Sequence, residues 1–247
     1  MKTTGNTMLI TGGGSGIGRE LARRFQALGN TVIIAGRRRQ ALDETIGGRK
    51  DMYALTLDVE DPQAIEAFAR QVVREHPRLN VLVNNAGVMI AEDVTRKRVL
   101  ADAEKTIATN LLGPIRLTNA LVDQLASQPD AAIINVSSGL AFVPYSATPT
   151  YNATKAAIHS YTVSLRTQLD GKVEVIELAP PAVQTELMPG QSTREGFMPL
   201  ESFIDETMQL FERQPTPKEI LVEEVAFLRW AERDGRFDQL VSMLASH

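Results

Sequence analysis

Apolar and polar positions along the chain follow two rhythms. Short runs of aliphatic and β-branched residues alternate with longer stretches in which apolar residues recur every three or four positions. The short runs are "TMLIT" (7–11), "TVIIA" (31–35), "YALTLD" (53–58), "NVLVN" (80–84), "AAIINVS" (131–137) and "KVEVIEL" (172–178). The first, second, fourth and fifth are almost continuously apolar, as strands covered on both faces require. Helical spacing marks 16–28, 61–75, 100–127 and 150–169. Asp61 is placed to cap the second of these, and Pro62 suits its first turn. Repeated strand–helix alternation predicts a doubly wound α/β fold, a parallel sheet with helices on both faces.

The alternation lapses near residue 180. Six of the twelve prolines fall between 180 and 217, among Met188, Phe197, Met198, Phe203, Met208 and Phe211. The pattern predicts an irregular excursion over 184–217 with a short helix near 200–213. From 218 to 246 the spacing again reads as helix, interrupted at Gly235, with Phe237, Leu240, Val241 and Leu244 on one face. No repeat or low-complexity linker divides the chain, so residues 1–247 are expected to form one domain.

Composition narrows the possible functions. With 247 residues and 43% hydrophobic content the chain can bury a large core. A formal net charge of −4 argues against a general nucleic-acid binder, which needs a basic surface. Two basic runs occur, at 37–39 and 96–98. There is no cysteine, which excludes disulfides, thiolate metal sites and cysteine nucleophiles. His76, His159 and His247 are the only histidines and none pair at ligand spacing, so no metal is expected. The N-terminus lacks an apolar signal core, and no apolar run approaches the ~20 residues of a membrane helix. A soluble, cytoplasmic protein without membrane insertion is the expectation.

Candidate chemistry begins where the first strand meets "TGGGSGIGRELARRF" (11–25). Gly12 permits a tight turn, and Gly16 and Gly18 let the backbone approach a pyrophosphate and the helix pack on the strand. The helix N-terminus then offers free N–H groups and a partial positive charge to phosphates. A dinucleotide site in a Rossmann-type fold follows. An NAD site usually places an acid at the end of the second strand to bond the ribose 2′-hydroxyl. Here that strand ends in Gly36, Arg37 and Arg38, with no carboxylate. Guanidinium forks suit a 2′-phosphate, so NADP(H) is favoured over NAD(H), with Arg37 the better placed reader. Arg39 is expected to face solvent on the following helix.

"SSGLAFVPYSATPTYNATK" (137–155) carries the second constellation. Of its tyrosines, only Tyr151 has a lysine four residues on, Lys155, on the same face of a helix. Ser138 lies at the C-terminal end of the fifth strand, where open parallel sheets bind ligands. Reducing a carbonyl needs a proton donor at oxygen. A phenol, with a reference pKa of ~10, needs a nearby ammonium to work near neutrality. Lys155 is therefore expected to lower the pKa of Tyr151 and to hold the cofactor ribose. Ser138 would orient the substrate oxygen. Ser137 points to the opposite face and is the weaker candidate.

These motifs together resemble the short-chain dehydrogenase/reductase family over roughly residues 7 to 187. The resemblance rests on "TGGGSGIG" (11–18), "LDV" (57–59), "NNAG" (84–87), "NLLG" (110–113), Ser138 and "YNATK" (151–155). It implies cofactor contacts from Gly12, Ser15, Gly16, Ile17, Gly18, Tyr151 and Lys155. Asp58 and Val59 would border the adenine, and Asn85 would lie along the cofactor. Val183 and Thr185 would meet the nicotinamide carboxamide, and Asn110 would join Lys155 in a water-mediated proton relay. It also implies a homodimer through the helices at 100–127 and 150–169, with a tetramer as the alternative.

Two features depart from the family pattern. Pro181 replaces the glycine usual after the sixth strand, stiffening the loop and removing a donor. The ending "GRFDQLVSMLASH" reads as helix where the family has a seventh strand and a glycine-rich tail.

The expected activity is an NADP(H)-dependent oxidoreductase acting on a small carbonyl or alcohol. The Met and Phe content of 184–213 suggests an apolar or amphipathic substrate, with Leu140, Phe142, Val143 and Tyr145 lining the same cavity. An idle NADP-binding regulator is the main alternative. An epimerase or dehydratase, which would need a longer substrate domain, is a third.

Overall fold

The computed structural model describes residues 1–245. Its centre is a seven-stranded parallel sheet of β1 (Thr7–Thr11), β2 (Thr31–Gly36), β3 (Met52–Thr56), β4 (Leu79–Asn84), β5 (Ala132–Val136), β6 (Glu174–Leu178) and β7 (Glu219–Ile220). Their order is β3-β2-β1-β4-β5-β6-β7. The helices are α1 (Gly16–Ala27), α2 (Arg39–Ile46), α3 (Pro62–Glu75), α4 (Ala101–Ile107), α5 (Gly113–Ala126), α6 (Pro149–Gln168), α7 (Leu200–Phe211), α8 (Glu223–Arg229) and α9 (Phe237–Ala245).

Successive strand residues point to opposite faces, and each face collects its own core. Met8, Ile10, Val32, Ile34 and Val83 join Leu21 and Phe25 of α1 and Phe203 and Phe211 of α7. Leu9, Ile33, Leu82 and Ile133 join Ile65, Phe68 and Val72 of α3 and Leu117, Leu121 and Leu125 of α5. Because both faces are covered, the strands read as the unbroken apolar runs seen along the chain. Asp61 caps α3 as expected, its Oδ1 accepting from the N–H groups of Gln63 (2.8 Å) and Ala64 (3.2 Å).

Several boundaries are corrected. The strands predicted to reach 58 and 137 stop at Thr56 and Val136, and that predicted from 172 starts at Glu174. The helix predicted over 100–127 is one run with a π turn, Ala108–Leu112, between α4 and α5. The predicted helix over 218–246 is wrong at its start. Glu219 and Ile220 form β7, a seventh strand pairing parallel with Glu177 and Leu178. Two residues are too few for a readable period. The chain then forms α8, breaks around Gly235 (φ 66°) and forms α9. Residue 246 lies outside the described residues.

The excursion after β6 carries the expected short helix as α7, but its apolar residues face elsewhere than expected. Phe203, Ile204, Met208 and Phe211 of α7 are buried in the main core, as is Met198 just before it. Phe211 meets Phe25 edge to face at 5.6 Å. Most of the apolar content of 184–217 thus packs the sheet and α1, leaving little to line a substrate cavity.

Candidate active site

The strand order reverses between β1 and β4, and a cleft opens there beyond the C-terminal ends of the strands, the place where open α/β sheets receive ligands. The glycine loop forms its floor. Gly12 (φ 68°) and Gly16 (φ 51°) adopt left-handed backbone that side chains disfavour. Gly18 is required by contact, because a Cβ there would lie 2.4 Å from Asn85 Nδ2 and 2.5 Å from the Gly12 carbonyl oxygen. Asn85 locks this junction, donating from Nδ2 to the Thr11 carbonyl at 2.8 Å. Thr11, which sequence reasoning missed, organises the turn. Its Oγ1 accepts from the N–H groups of Asn85 and Ala86, each at 3.0 Å. Ser15 precedes α1 in extended backbone and uses no side-chain cap, leaving the N-terminal N–H groups of that helix toward the cleft.

One end of the cleft is lined by Ser15, Arg37, Arg38, Asp58, Val59 and Thr109. Arg37 is half-exposed and donates to Glu60 Oε1 at 3.3 Å. Arg38 lines the same space and has no side-chain partner among the described residues. Arg39 turns away on α2, binding both carboxylate oxygens of Asp43 at 2.9 and 3.0 Å. No carboxylate stands at the end of β2 itself, and the nearest one lining this space beside Arg37 is its partner Glu60.

From this end a space of about 450 Å³ runs past Ser15, Gly16, Ile17 and Asn85 to Ser138, Tyr151, Lys155, Val183 and Thr185. The predicted residues of both constellations therefore share one cleft. Ser138 ends β5 and begins a short turn, its Oγ accepting from Leu140 N–H at 3.2 Å. Tyr151 and Lys155 lie on α6, both buried, with the ammonium 5.6 Å from the phenol ring centroid. Lys155 Nζ donates to the Val136 carbonyl at 2.8 Å. Asn110 sits in the π turn, where the register slips and the side chain turns inward. Its amide clasps the backbone of Val88, accepting from N–H and donating to C=O at 2.8 Å each, and reaches Thr154 Oγ1 at 3.3 Å.

The electrostatics correct one expectation. Burial pushes the Tyr151 phenol up to about 12, opposed by a hydrogen bond from Ser138. Burial pushes the Lys155 ammonium down to about 8, opposed by the charge of Glu177. Here burial outweighs the hydrogen bond, so Tyr151 moves away from neutrality rather than toward it.

On the far side, Val183 pairs with Met198 in an isolated bridge. Gln191 Nε2 donates to the Val183 carbonyl (2.8 Å) and to Thr185 Oγ1 (3.2 Å). Pro181 lines the cleft, and the preceding Pro180 carbonyl accepts from Gly139 N–H at 2.8 Å. The expectation for the loop after Ser138 is corrected. Leu140, Phe142, Val143 and Tyr145 are not among the residues lining the cleft. Val143 packs with Leu228, Ala231 and Leu240 of the C-terminal segment, and Phe142 meets His159 edge to face. Gly139 is pressed against that segment too, since a Cβ there would lie 2.7 Å from Leu228 and 2.9 Å from Val225 of α8. Met89, Ile90, Lys105, Glu186, Leu187 and Gln191 line the cleft instead.

Two further residues were not foreseen. Glu92, nearly buried, accepts from Thr150 N–H (2.9 Å) and Oγ1 (2.8 Å), one residue before Tyr151, and pairs with Arg98. Glu177 lies fully buried behind Lys155. An acid inside an apolar strand run was its only signal.

The short chain dehydrogenase profile matches residues 6–196. An uncharacterized oxidoreductase DltE of Bacillus subtilis is 41% identical over 97% of this chain and 98% of its own length. The NADP-dependent 3-hydroxy acid dehydrogenase YdfG of Escherichia coli is 34% identical over 70% of this chain and 71% of its own. A solved short-chain dehydrogenase from Sphingobium yanoikuyae in complex with NADPH superimposes with a TM-score of 0.81, at 26% identity over 96% of this chain and 95% of that one. Among the described residues no helix is long and apolar enough to cross a membrane. A profile spanning most of the chain, relatives of near-full length and a matching fold together place this chain in the short-chain dehydrogenase/reductase family.

Proposed function

We propose that this chain is an NADP(H)-dependent oxidoreductase acting on a small carbonyl compound or the matching secondary alcohol. The observation that carries the reading is the shared cleft, in which Ser138, Tyr151 and Lys155 face the glycine loop and the arginines at the end of β2. The loop fits a nicotinamide dinucleotide, because its glycines leave backbone N–H groups bare beside the start of α1. Gly12, Ser15, Gly16, Ile17, Gly18, Asp58, Val59 and Asn85 would hold the adenosine and pyrophosphate, with Arg37 and Arg38 at the 2′-phosphate. Tyr151, Lys155, Val183 and Thr185 would hold the nicotinamide half. When bound, the cofactor supplies or accepts the hydride.

The chain's own residues handle the oxygen and its proton. Ser138 orients the substrate oxygen and stabilises charge on it. Tyr151 gives the oxygen a proton in reduction and takes it back in oxidation. With its pKa raised by burial it rests as the protonated phenol, ready to donate. Lys155 stabilises the phenolate left behind, and Asn110 holds the Val88 backbone beside it.

Cleft chemistry shifts the substrate class from apolar to acidic. Lys105 of α4 lines the cleft and has no hydrogen-bond or ion-pair partner among the described residues. A half-buried, unpaired ammonium beside Met89 and Ile90 suits a carboxylate or similar anion on the substrate. The YdfG relative, named a 3-hydroxy acid dehydrogenase, agrees with this class. A homodimer is proposed through the helices at 100–127 and 150–169, where Ile107 of α4 stands bare beside Val94 and Leu100 of the preceding loop. Light scattering should then give twice the chain mass.

Titration with NADPH and NADH tests the cofactor assignment, and NADPH should bind at least tenfold more tightly. Turnover is then screened with 3-hydroxy acids and 2- or 3-oxo acids against neutral alcohols and ketones. Faster turnover of the neutral compounds would refute the role given to Lys105. Tight NADPH binding with no turnover in either set would leave an idle scaffold.

A further inference from the structure

Lys155 and Glu177 are both buried, the latter with no exposure at all. They approach one interior from two elements. Glu177 lies on β6, opposite Asn135 of β5, with its side chain toward α6. Both carboxylate oxygens are held. Ser137 Oγ donates to Oε1 at 2.5 Å, and His159 Nδ1 meets Oε2 at 2.7 Å. His159 is four residues after Lys155 on α6, so the two share a helix face above β5 and β6. Lys155 Nζ in turn donates to the carbonyl of Val136, the residue before Ser137. The serine judged the weaker candidate from sequence therefore holds this carboxylate one residue along β5 from the carbonyl that binds the lysine.

A carboxylate stripped of water persists only when hydrogen-bonded and matched in charge. We propose that Glu177 is the counter-ion of Lys155, a positioning residue whose fixed negative charge keeps the lysine an ammonium at neutral pH. The surroundings of Glu177 support this division. From α6 it faces Lys155 and His159, and from β5 Ser137. Glu219 of β7 and Arg229 of α8 stand beyond and bind each other at 2.7 and 3.0 Å, so their charges largely cancel. Arg166, at the end of α6, donates to the carbonyls of Val175 and Lys218. Phe142 covers the outer side, edge to face with His159 and under the Arg229 guanidinium. Burial already pulls Lys155 down to about 8, and Glu177 is the charge that pulls it back up. Removing that charge would leave the lysine neutral at working pH. His159 is raised by the same carboxylate, so a second cation joins the network as pH falls.

The test does not need a substrate. Lys155 is titrated in the full-length protein by the pH dependence of its modification with acetic anhydride, read by peptide mass spectrometry. Glu177→Gln keeps the shape and one accepting oxygen, turns the other acceptor into an N–H donor that neutral His159 Nδ1 can accept, and removes the charge. Its labelling midpoint should fall by about one pH unit or more, and Glu177→Asp should recover most of the loss. An unmoved midpoint in folded Glu177→Gln protein would overturn the proposal and leave Glu177 a structural residue. Thermal unfolding gives a second readout should that variant not fold on its own. Lys155→Met combined with Glu177→Gln removes both charges together and should melt at a higher temperature than Lys155→Met alone, which leaves the buried carboxylate unmatched; no gain overturns the proposal equally. The inference rests on the proposed activity in one respect only. Given a substrate, the alkaline limb of kcat/KM should move down with the labelling midpoint, lowering kcat/KM about tenfold per unit at high pH. A labelling shift in a protein without turnover would sink the activity and keep the counter-ion.

Discussion

At the residue scale, the two halves of the cleft make separable predictions. Tyr151→Phe removes the proton donor and leaves the ring in place, so kcat should drop by roughly 100- to 10,000-fold with NADPH affinity unchanged. Substantial remaining turnover would place the donor elsewhere. Arg37→Ala should weaken NADPH about tenfold and NADH hardly at all, by loss of a charge-assisted bond. Equal losses would mean that Arg37 serves Glu60, its partner in this state. The tyrosine–lysine spacing, the loop glycines and the missing acid after β2 could all be read from the chain, because each is a local pattern. The upward shift of Tyr151 and the bond from Lys155 to Val136 could not. Both arise from burial between α6 and β5, across 15 residues or more of intervening chain.

At the element scale, α6 is the beam that carries Tyr151 and Lys155, and its first turn is held from outside. Glu92 accepts both polar hydrogens of Thr150, and Arg98 ties Glu92 to Asp102 on α4. Glu92→Leu leaves these donors unsatisfied. It should cost about 1–3 kcal/mol of stability. It should also lower kcat, with little change in NADPH affinity, because the residue after Thr150 is the proposed proton donor. Calorimetry beside steady-state kinetics checks both, and an unchanged kcat would make Glu92 a stability element alone. The alternating strands and amphipathic helices of this layer were legible because packing repeats their period many times over. β7 was not, having two residues, nor was the π turn at Asn110, which inserts one residue into an otherwise continuous helical pattern.

At the scale of the whole molecule, the apolar residues after β6 tell how far composition misleads. Read along the chain, Phe203, Met208 and Phe211 suggested a greasy substrate. Folded, they wall the sheet against α1. Phe211→Ala should therefore lower stability by about 3–5 kcal/mol, visible as a lower Tm, while KM values stay as they were. A raised KM with unchanged Tm would return α7 to the substrate. The contact of Gly139 with Val225 and Leu228 has a different consequence. The residue beside Ser138, the proposed substrate-orienting serine, is wedged by the C-terminal part of the chain, more than 80 positions away. A single methyl gained or lost on α8 would be felt at Ser138 as a change of tilt, with no lining residue altered. Variants selected for a new substrate would then carry substitutions far from the cleft, in a helix that a search confined to the pocket would never sample.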